Sequence, residues 1–271
     1  MNGASREALA AARERLDALT DNTAADAAQL ADELAAVTAL LDREVSLRRV
    51  LTDPAQAGEA KAELVQRLLG TQVGGPTADL VAGMVRSRWS QSRDLVDALE
   101  ELASTADFTA AQKRGTLDDV EDELFRFGRI VSSSTELRAA LTDRKAGTAA
   151  KKELLRTLLG GKAKPTTERL VTRLVTAPRG RSLEAGLESL SKLAAERRDR
   201  MVAVVTSAVP LSDTQKQRLG AALAKLYGRR MHLNLDVDPE VLGGIRVQVG
   251  DEVINGSLAD RIADAERRMA S

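Results

Sequence analysis

The stretch LTDPAQAGEAKAELVQRLLG at residues 51–70 returns as LTDRKAGTAAKKELLRTLLG at residues 141–160. At a fixed offset of 90, residues 47–70 and 137–160 are identical at 12 of 24 positions. Two unrelated Ala/Leu-rich helices agree at roughly two or three, so the chain repeats itself. Matched pairs include Leu51/Leu141, Asp53/Asp143, Lys61/Lys151 and Glu63/Glu153, and farther out Glu33/Glu123, Thr77/Thr167 and Leu80/Leu170. Solenoid units run to about 20–50 residues. A period of 90 is that of a small domain, so most of a domain is present twice.

Ala, Leu, Glu, Arg and Lys, the strong helix formers, dominate up to about residue 200. The apolar spacing predicts helices near 4–20, 25–42, 45–52, 54–69, 76–90 and 92–104 in the first copy. The second copy gives 106–132 (as two segments), 134–141, 145–159, 166–178 and 182–199. Asp53 is read as the N-cap of the fourth helix with Pro54 at N1, and Ala57, Ala60, Leu64, Val65, Leu68 and Leu69 as its apolar stripe. Gly70 is its left-handed stop; Asp143 and Gly160 play the same parts in the second copy.

After Arg200 the period changes from 3.6 to 2. MVAVVTSAVP (201–210) reads as a strand, and Ser212 with Gln215 as a capping box opening a helix to Tyr227, with Leu219, Leu223 and Leu226 facing inward. Leu233, Leu235 and Val237 alternate in a second strand, Ile245, Val247 and Val249 in a third; Gly250-Asp251 turns into a return strand, and Ser257 caps a last helix. The expected class is therefore mostly α: bundle copies at 1–104 and 105–200, then a small α/β domain at 201–271.

The chemistry-bearing residue types are sparse. The 40 basic and 40 acidic side chains cancel and aromatics are 2%, a poor match to nucleic-acid binding. Cysteine is absent, which removes thiolate chemistry and Cys-bound zinc. The single histidine, His232, is expected to be an ordinary strand residue. Gly160-Gly161-Lys162 lacks the earlier Gly and the Ser/Thr of a phosphate loop, with Arg156 and Ala163 at those places. Glu121, Asp122 and Glu123 point to successive helix faces and read as solvated. No apolar run reaches the length of a spanning helix, so direct membrane insertion is not expected. Neither a metal nor a cofactor is implied; a binding or structural part is the simplest reading.

The C-terminal residues are specific. Val205, Ser207, Ala208, Pro210, Leu211 and Ser212, then Val237, Asp238, Pro239, Gly243, Gly244, Ile245, Asp251, Ser257 and Arg261, form a pattern that closely resembles the delta subunit of F-type ATP synthases, the bacterial counterpart of the oligomycin-sensitivity-conferring protein. Leu141, Lys151 and Leu154-Leu155 are similar to the family's helical bundle, and SREALAAA (5–12) to its opening helix. Family members run to about 180 residues, so this chain resembles a longer form with a duplicated bundle.

The resemblance implies a non-catalytic stator subunit, peripheral on the cytoplasmic side of the cell membrane through the proton-translocating complex. In such a subunit the bundle holds an N-terminal helix of the alpha subunit and the C-terminal domain holds the C-terminal end of the b subunit. Alpha docking is assigned to Leu9, Ala12 and Leu16 of the first helix and Leu80, Val81 and Met84 of the fifth, with Leu170, Val171 and Leu174 as second-copy equivalents. The b contact is assigned to the region of Pro239, Gly243, Gly244, Ile245, Ser257 and Arg261. Retention of the apolar pattern in both copies suggests two docking grooves. A free-standing helical adaptor or an enzyme with a carboxylate-only site are the alternatives; neither accounts for the C-terminal pattern.

Overall fold

The computed structural model describes residues 1–22, 25–198, 201–227, 231–238, 244–249 and 252–255, and divides into two compact units, Met1–Arg197 and Arg198–Ser271. The first unit is all helical: α1 (Gly3–Asn22), α2 (Ala27–Arg43), α3 (Val45–Thr52), α4 (Gly58–Leu69), α5 (Gly75–Arg86), α6 (Ser92–Lys113), α7 (Leu117–Ser133), α8 (Thr135–Thr142), α9 (Thr148–Leu159), α10 (Pro165–Thr176) and α11 (Leu183–Arg198).

The helices α2 to α5 and α7 to α10 match end for end at the 90-residue offset, and α1 shifted by the same amount falls on α6. The helix α6 therefore serves twice, as the sixth helix of the first bundle and the first helix of the second. Its burial says the same. From Leu95 to Ala106 its apolar residues belong to the core built with α1, α2, α4 and α5, whereas Phe108 and Ala111 belong to the core built with α7, α10 and α11. An amphipathic surface helix buries one stripe; α6 is buried on nearly every face between Asp94 and Ala111. The sequence between Ser92 and Lys113 contains neither Gly nor Pro, so nothing interrupts the helix at the boundary between 104 and 105. It ends where Gly115 adopts a left-handed φ of 67°.

Helix starts are later than the cap pattern suggests. Asp53 accepts from the N–H of Ala55 at 2.9 Å and Asp143 from the N–H of Lys145 at 2.8 Å. Both aspartates thus close turns in the preceding loops, and α4 and α9 begin at Gly58 and Thr148. The buried face of α4 is accordingly Lys61, Ala62, Val65 and Leu69, with Leu68 39% exposed. The repeated Lys61 and Lys151 are buried at the matching faces of α4 and α9; Lys61 donates toward the Asp53 carbonyl at 3.5 Å. Nor are Gly70 and Gly160 left-handed, at φ of −58° and −55°. Glycine is required there for space: a Cβ on Gly70 would lie 2.5 Å from the Gln66 carbonyl oxygen, and one on Gly160 would strike that of Arg156.

Two further matched pairs form one repeated lock. The Thr77 hydroxyl donates to Glu33, and that of Thr167 donates to Glu123 at 2.5 Å. Glu123 also accepts from the Lys164 N–H at 2.9 Å, as Glu33 does from the backbone of Gly74. In each bundle the second helix thus sends a carboxylate to the N-terminus of the fifth, where free N–H groups and the helix dipole favour an anion. Burial opposes ionisation of Glu33, but donation by Thr77, Gln29 and Gly74 outweighs it and holds this carboxyl below its ordinary range. Glu123 is therefore not part of a solvated acidic face.

The second unit contains β1 (Met201–Ser207), α12 (Asp213–Tyr227), β2 (Met231–Val237), β3 (Ile245–Val249) and β4 (Glu252–Asn255). The sheet order is β2-β1-β3-β4, with β1 parallel to β2 across the α12 crossover and the other pairs antiparallel. Ala203, Val205, Val247, Val249 and Leu223 form its core. The capping box is present: Gln215 N–H donates to the Ser212 hydroxyl at 3.3 Å, and Ser212 N–H to Gln215 at 2.8 Å. Leu219 and Leu223 face inward, but Leu226 is 66% exposed and Tyr227 packs instead. Four-residue steps from Leu219 keep to one face; a step of three from Leu223 drifts off it.

Candidate functional site

The nine residues assigned to alpha docking lie inside the bundles. Leu9, Ala12, Leu16, Leu80, Val81 and Met84 belong to the first core, and Leu170, Val171 and Leu174 to the second, none more than 8% exposed. The first and fifth helices of each bundle meet through these side chains, so a partner lying on that seam meets the outer faces of the two helices. In the first bundle the seam is α1–α5. The outer face of α1 exposes Ala10, Ala11 and Ala18, and the Arg15 guanidinium lies over Gly83 of α5.

In the second bundle the corresponding seam, α6–α10, is covered within the chain. Helix α2 packs along α6, Ala27 and Ala28 meeting Ala110. The contact extends to α10, where Arg173 donates to the Ala31 carbonyl at 3.4 Å and Arg169 approaches Asp32 at 3.9 Å.

The seam is pinned by a carboxylate that sequence reasoning missed. Asp107 of α6 is fully buried and accepts from Arg169 at 2.5 Å and from Arg173. Burial lowers the Arg173 pKa to about 10, opposed by Asp32, which leaves the guanidinium charged at neutral pH and the contact ionic. Asp17 of α1 stands 90 residues earlier and is also buried, but Asp79 and Gly83 occupy the places of the two arginines. Its cation comes instead from Arg197 of α11, at 3.1 Å, whose Nε donates to Gln112 at 2.6 Å. Farther along α6, Glu100 pairs with Arg181 at 2.6 Å and with Arg179, and Glu101 with Arg13 at 2.5 Å. The shared helix thus presents acids along its length, and arginines from both bundles close on them. The signal in the sequence was the Asp17/Asp107 match; the partners do not match, so alignment could not supply them.

Of the residues assigned to the b contact, Gly244 is exposed with a left-handed φ of 82°, and Ile245 opens β3 and packs on the sheet core. Pro239, Gly243, Ser257 and Arg261 lie outside the described residues, as do Gly250-Asp251 and the last helix. Among the described residues no helix is long and apolar enough to cross a membrane.

Residues 103–269 match the family model described as ATP synthase delta (OSCP) subunit. The chain belongs to that family. The match begins inside α6 and takes in the second bundle and the sheet unit, so the first bundle is what this chain adds. The addition is shared by relatives of equal length. The chain is 85% identical over 271 residues to the ATP synthase subunit delta of Streptomyces coelicolor, covering 100% of this chain and 99% of that one. It is 82% identical to that of Streptomyces avermitilis over 270 residues (100% and 99%), and 50% identical to that of Thermobifida fusca over 270 residues (100% of both). The family places it as a non-catalytic component of the peripheral stalk of ATP synthase. These matches leave no support for the free-standing adaptor.

Proposed function

We propose that this delta subunit joins the catalytic head to the stalk: its helical unit holds the N-terminal helix of an alpha subunit and its sheet unit the C-terminal helix of b. On this reading the chain is peripheral at the cytoplasmic face of the membrane, and holding the head still lets proton-driven rotation appear as ATP synthesis. The observation that carries the first contact is α2 lying on the α6–α10 seam. The α2 contact with α10 is polar, through Arg169 and Arg173, and it leaves a partner helix less room there than at the α1–α5 seam. The matching α1–α5 seam carries no helix of this chain among the described residues, and its exposed alanines allow close approach of a helix backbone.

One alpha helix per chain is therefore expected, on the first bundle, rather than one on each. Calorimetric titration of the alpha N-terminal peptide into the full chain should give a stoichiometry of one, lost in Ala11→Arg. Two sites, or one site indifferent to Ala11→Arg, would overturn this placement. For the b contact, Gly244→Asp puts a side chain at a φ of 82°. It should weaken b binding while leaving the alpha titration unchanged.

A further inference from the structure

The second bundle keeps open a face that the first bundle closes. The helices α2 and α6 pack along one another, whereas their counterparts α7 and α11 make no comparable packed pair. Between α7 and α11 lies a groove of about 550 Å³ lined by Leu124, Phe125, Gly128, Arg129, Leu187 and Glu188, among others. Phe125, one of three phenylalanines in the chain, is 60% exposed. At the matched places the first bundle has Ala35 for Phe125 and Thr38 for Gly128. A Cβ added at Gly128 would meet nothing within 4 Å. The second bundle thus has an aromatic knob beside a hollow where the first has two small side chains.

The rim is polarised across the groove. Arg129 stands on the α7 side and Glu188 on the α11 side; both are exposed and neither forms an ion pair among the described residues. Glu184, beside Glu188 on α11, adds acidic charge while facing Arg138 at 3.7 Å. An exposed phenyl beside an unfilled hollow, flanked by opposite charges, has the elements of a docking surface.

We propose that the α7–α11 groove is a second docking site, taken by an amphipathic helix of another subunit of the same complex. That helix carries aliphatic side chains at three- and four-residue steps. One of them fills the hollow at Gly128; the others pack on Phe125 and Leu187. Its flanks carry an acid toward Arg129 and a base toward Glu188. The site does not depend on what occupies the α1–α5 seam: it lies on other helices and has the opposite character, a phenyl knob and a hollow instead of a run of alanines.

The test is a photoreactive phenylalanine at position 125 of the full chain in the assembled ATP synthase, with the same residue at exposed Lys152 of α9 as control. The expected result is a cross-link from 125, not from 152, to one segment of another subunit, at residues repeating every three or four. In parallel, Phe125→Ser should leave the melting temperature of the isolated chain unchanged and weaken its hold on the complex about tenfold, as for an exposed aromatic anchor. A cross-link no stronger than the Lys152 control, or one confined to a second copy of this chain, would overturn the proposal. So would a melting temperature that falls with Phe125→Ser, since the phenyl would then belong to the bundle.

Discussion

The two bundles share a plan, a helix and half the residues of their best-matched segment, yet one is closed where the other is open. In the first, α2 and α6 pack along one another with alanines among their contacts, Ala27 and Ala28 against Ala110, and small residues let helix axes approach closely. In the second, Phe125 and Arg129 stand where α2 has Ala35 and Ala39, and α11 keeps its distance. Duplication copied the hydrophobic periodicity, which is enough to make a bundle. It did not preserve the residue sizes on one face, and size decides whether two helices close or leave a groove.

Asp107→Ala should have the largest effect. It strips the α6–α10 seam of its carboxylate and leaves Arg169 and Arg173 facing a buried hollow. Breaking a buried pair costs about 3–5 kcal/mol, and the partial exposure of both arginines places the expected loss near 2–4 kcal/mol. Urea unfolding of the full chain measures it, and a loss below about 1 kcal/mol would mean that the two bundles do not rely on this pin.

The closed and open faces can be compared at Leu34 and Leu124, matched residues that are both fully buried. Leu→Ala in a core costs about 2–5 kcal/mol, more where the surroundings cannot relax. Leu34→Ala should fall at the high end and Leu124→Ala, beside the groove, at the low end. Equal losses would say that the α7–α11 groove is as rigid as the α2–α6 contact.

The repeated lock offers a subtler comparison. Thr77→Ala and Thr167→Ala each remove a hydroxyl donor to a carboxylate at a helix N-terminus, at an expected cost of about 1–2 kcal/mol. Similar values would show that this device survived duplication intact. The smallest effect is on the acid side. Because the folded-state pKa of Glu33 is depressed, its contribution is present above the ordinary value of 4.5 and is lost as the pH falls below it. Glu33→Gln should therefore lower the melting temperature above pH 6 and bring it back toward that of the unaltered chain near pH 3, which flattens the decline between about pH 4.5 and pH 3.

Much of the architecture was legible in the residues because it rests on local rules. Periodicity gave the helices, the offset gave their pairing between copies, and the Ser212–Gln215 box gave the start of α12. Local rules also misled. Asp53-Pro54 has the composition of a helix start, but its turn closes at Ala55, three residues before α4 begins, since an aspartate caps whichever free N–H lies nearest. Reading the copies as adjacent domains placed a boundary at 104/105, in the middle of α6. The residues there are ordinary helix formers, and only the uninterrupted backbone shows them serving both bundles.

For the site, the sequence by itself determined the family, through the C-terminal pattern, and the presence of two bundles, through the repeat. It also marked the apolar positions of the first and fifth helices, but it could not say whether those side chains point to a partner or to a core. That was decided by tertiary packing, because a helix shows its neighbours a face and its sequence records only the period. Packing likewise paired Asp107 with Arg169 and Arg173, more than 60 residues away, covered one seam with α2 and left another bare. Those pairings join charges on separate helices, and no spacing along the chain encodes which helices will meet.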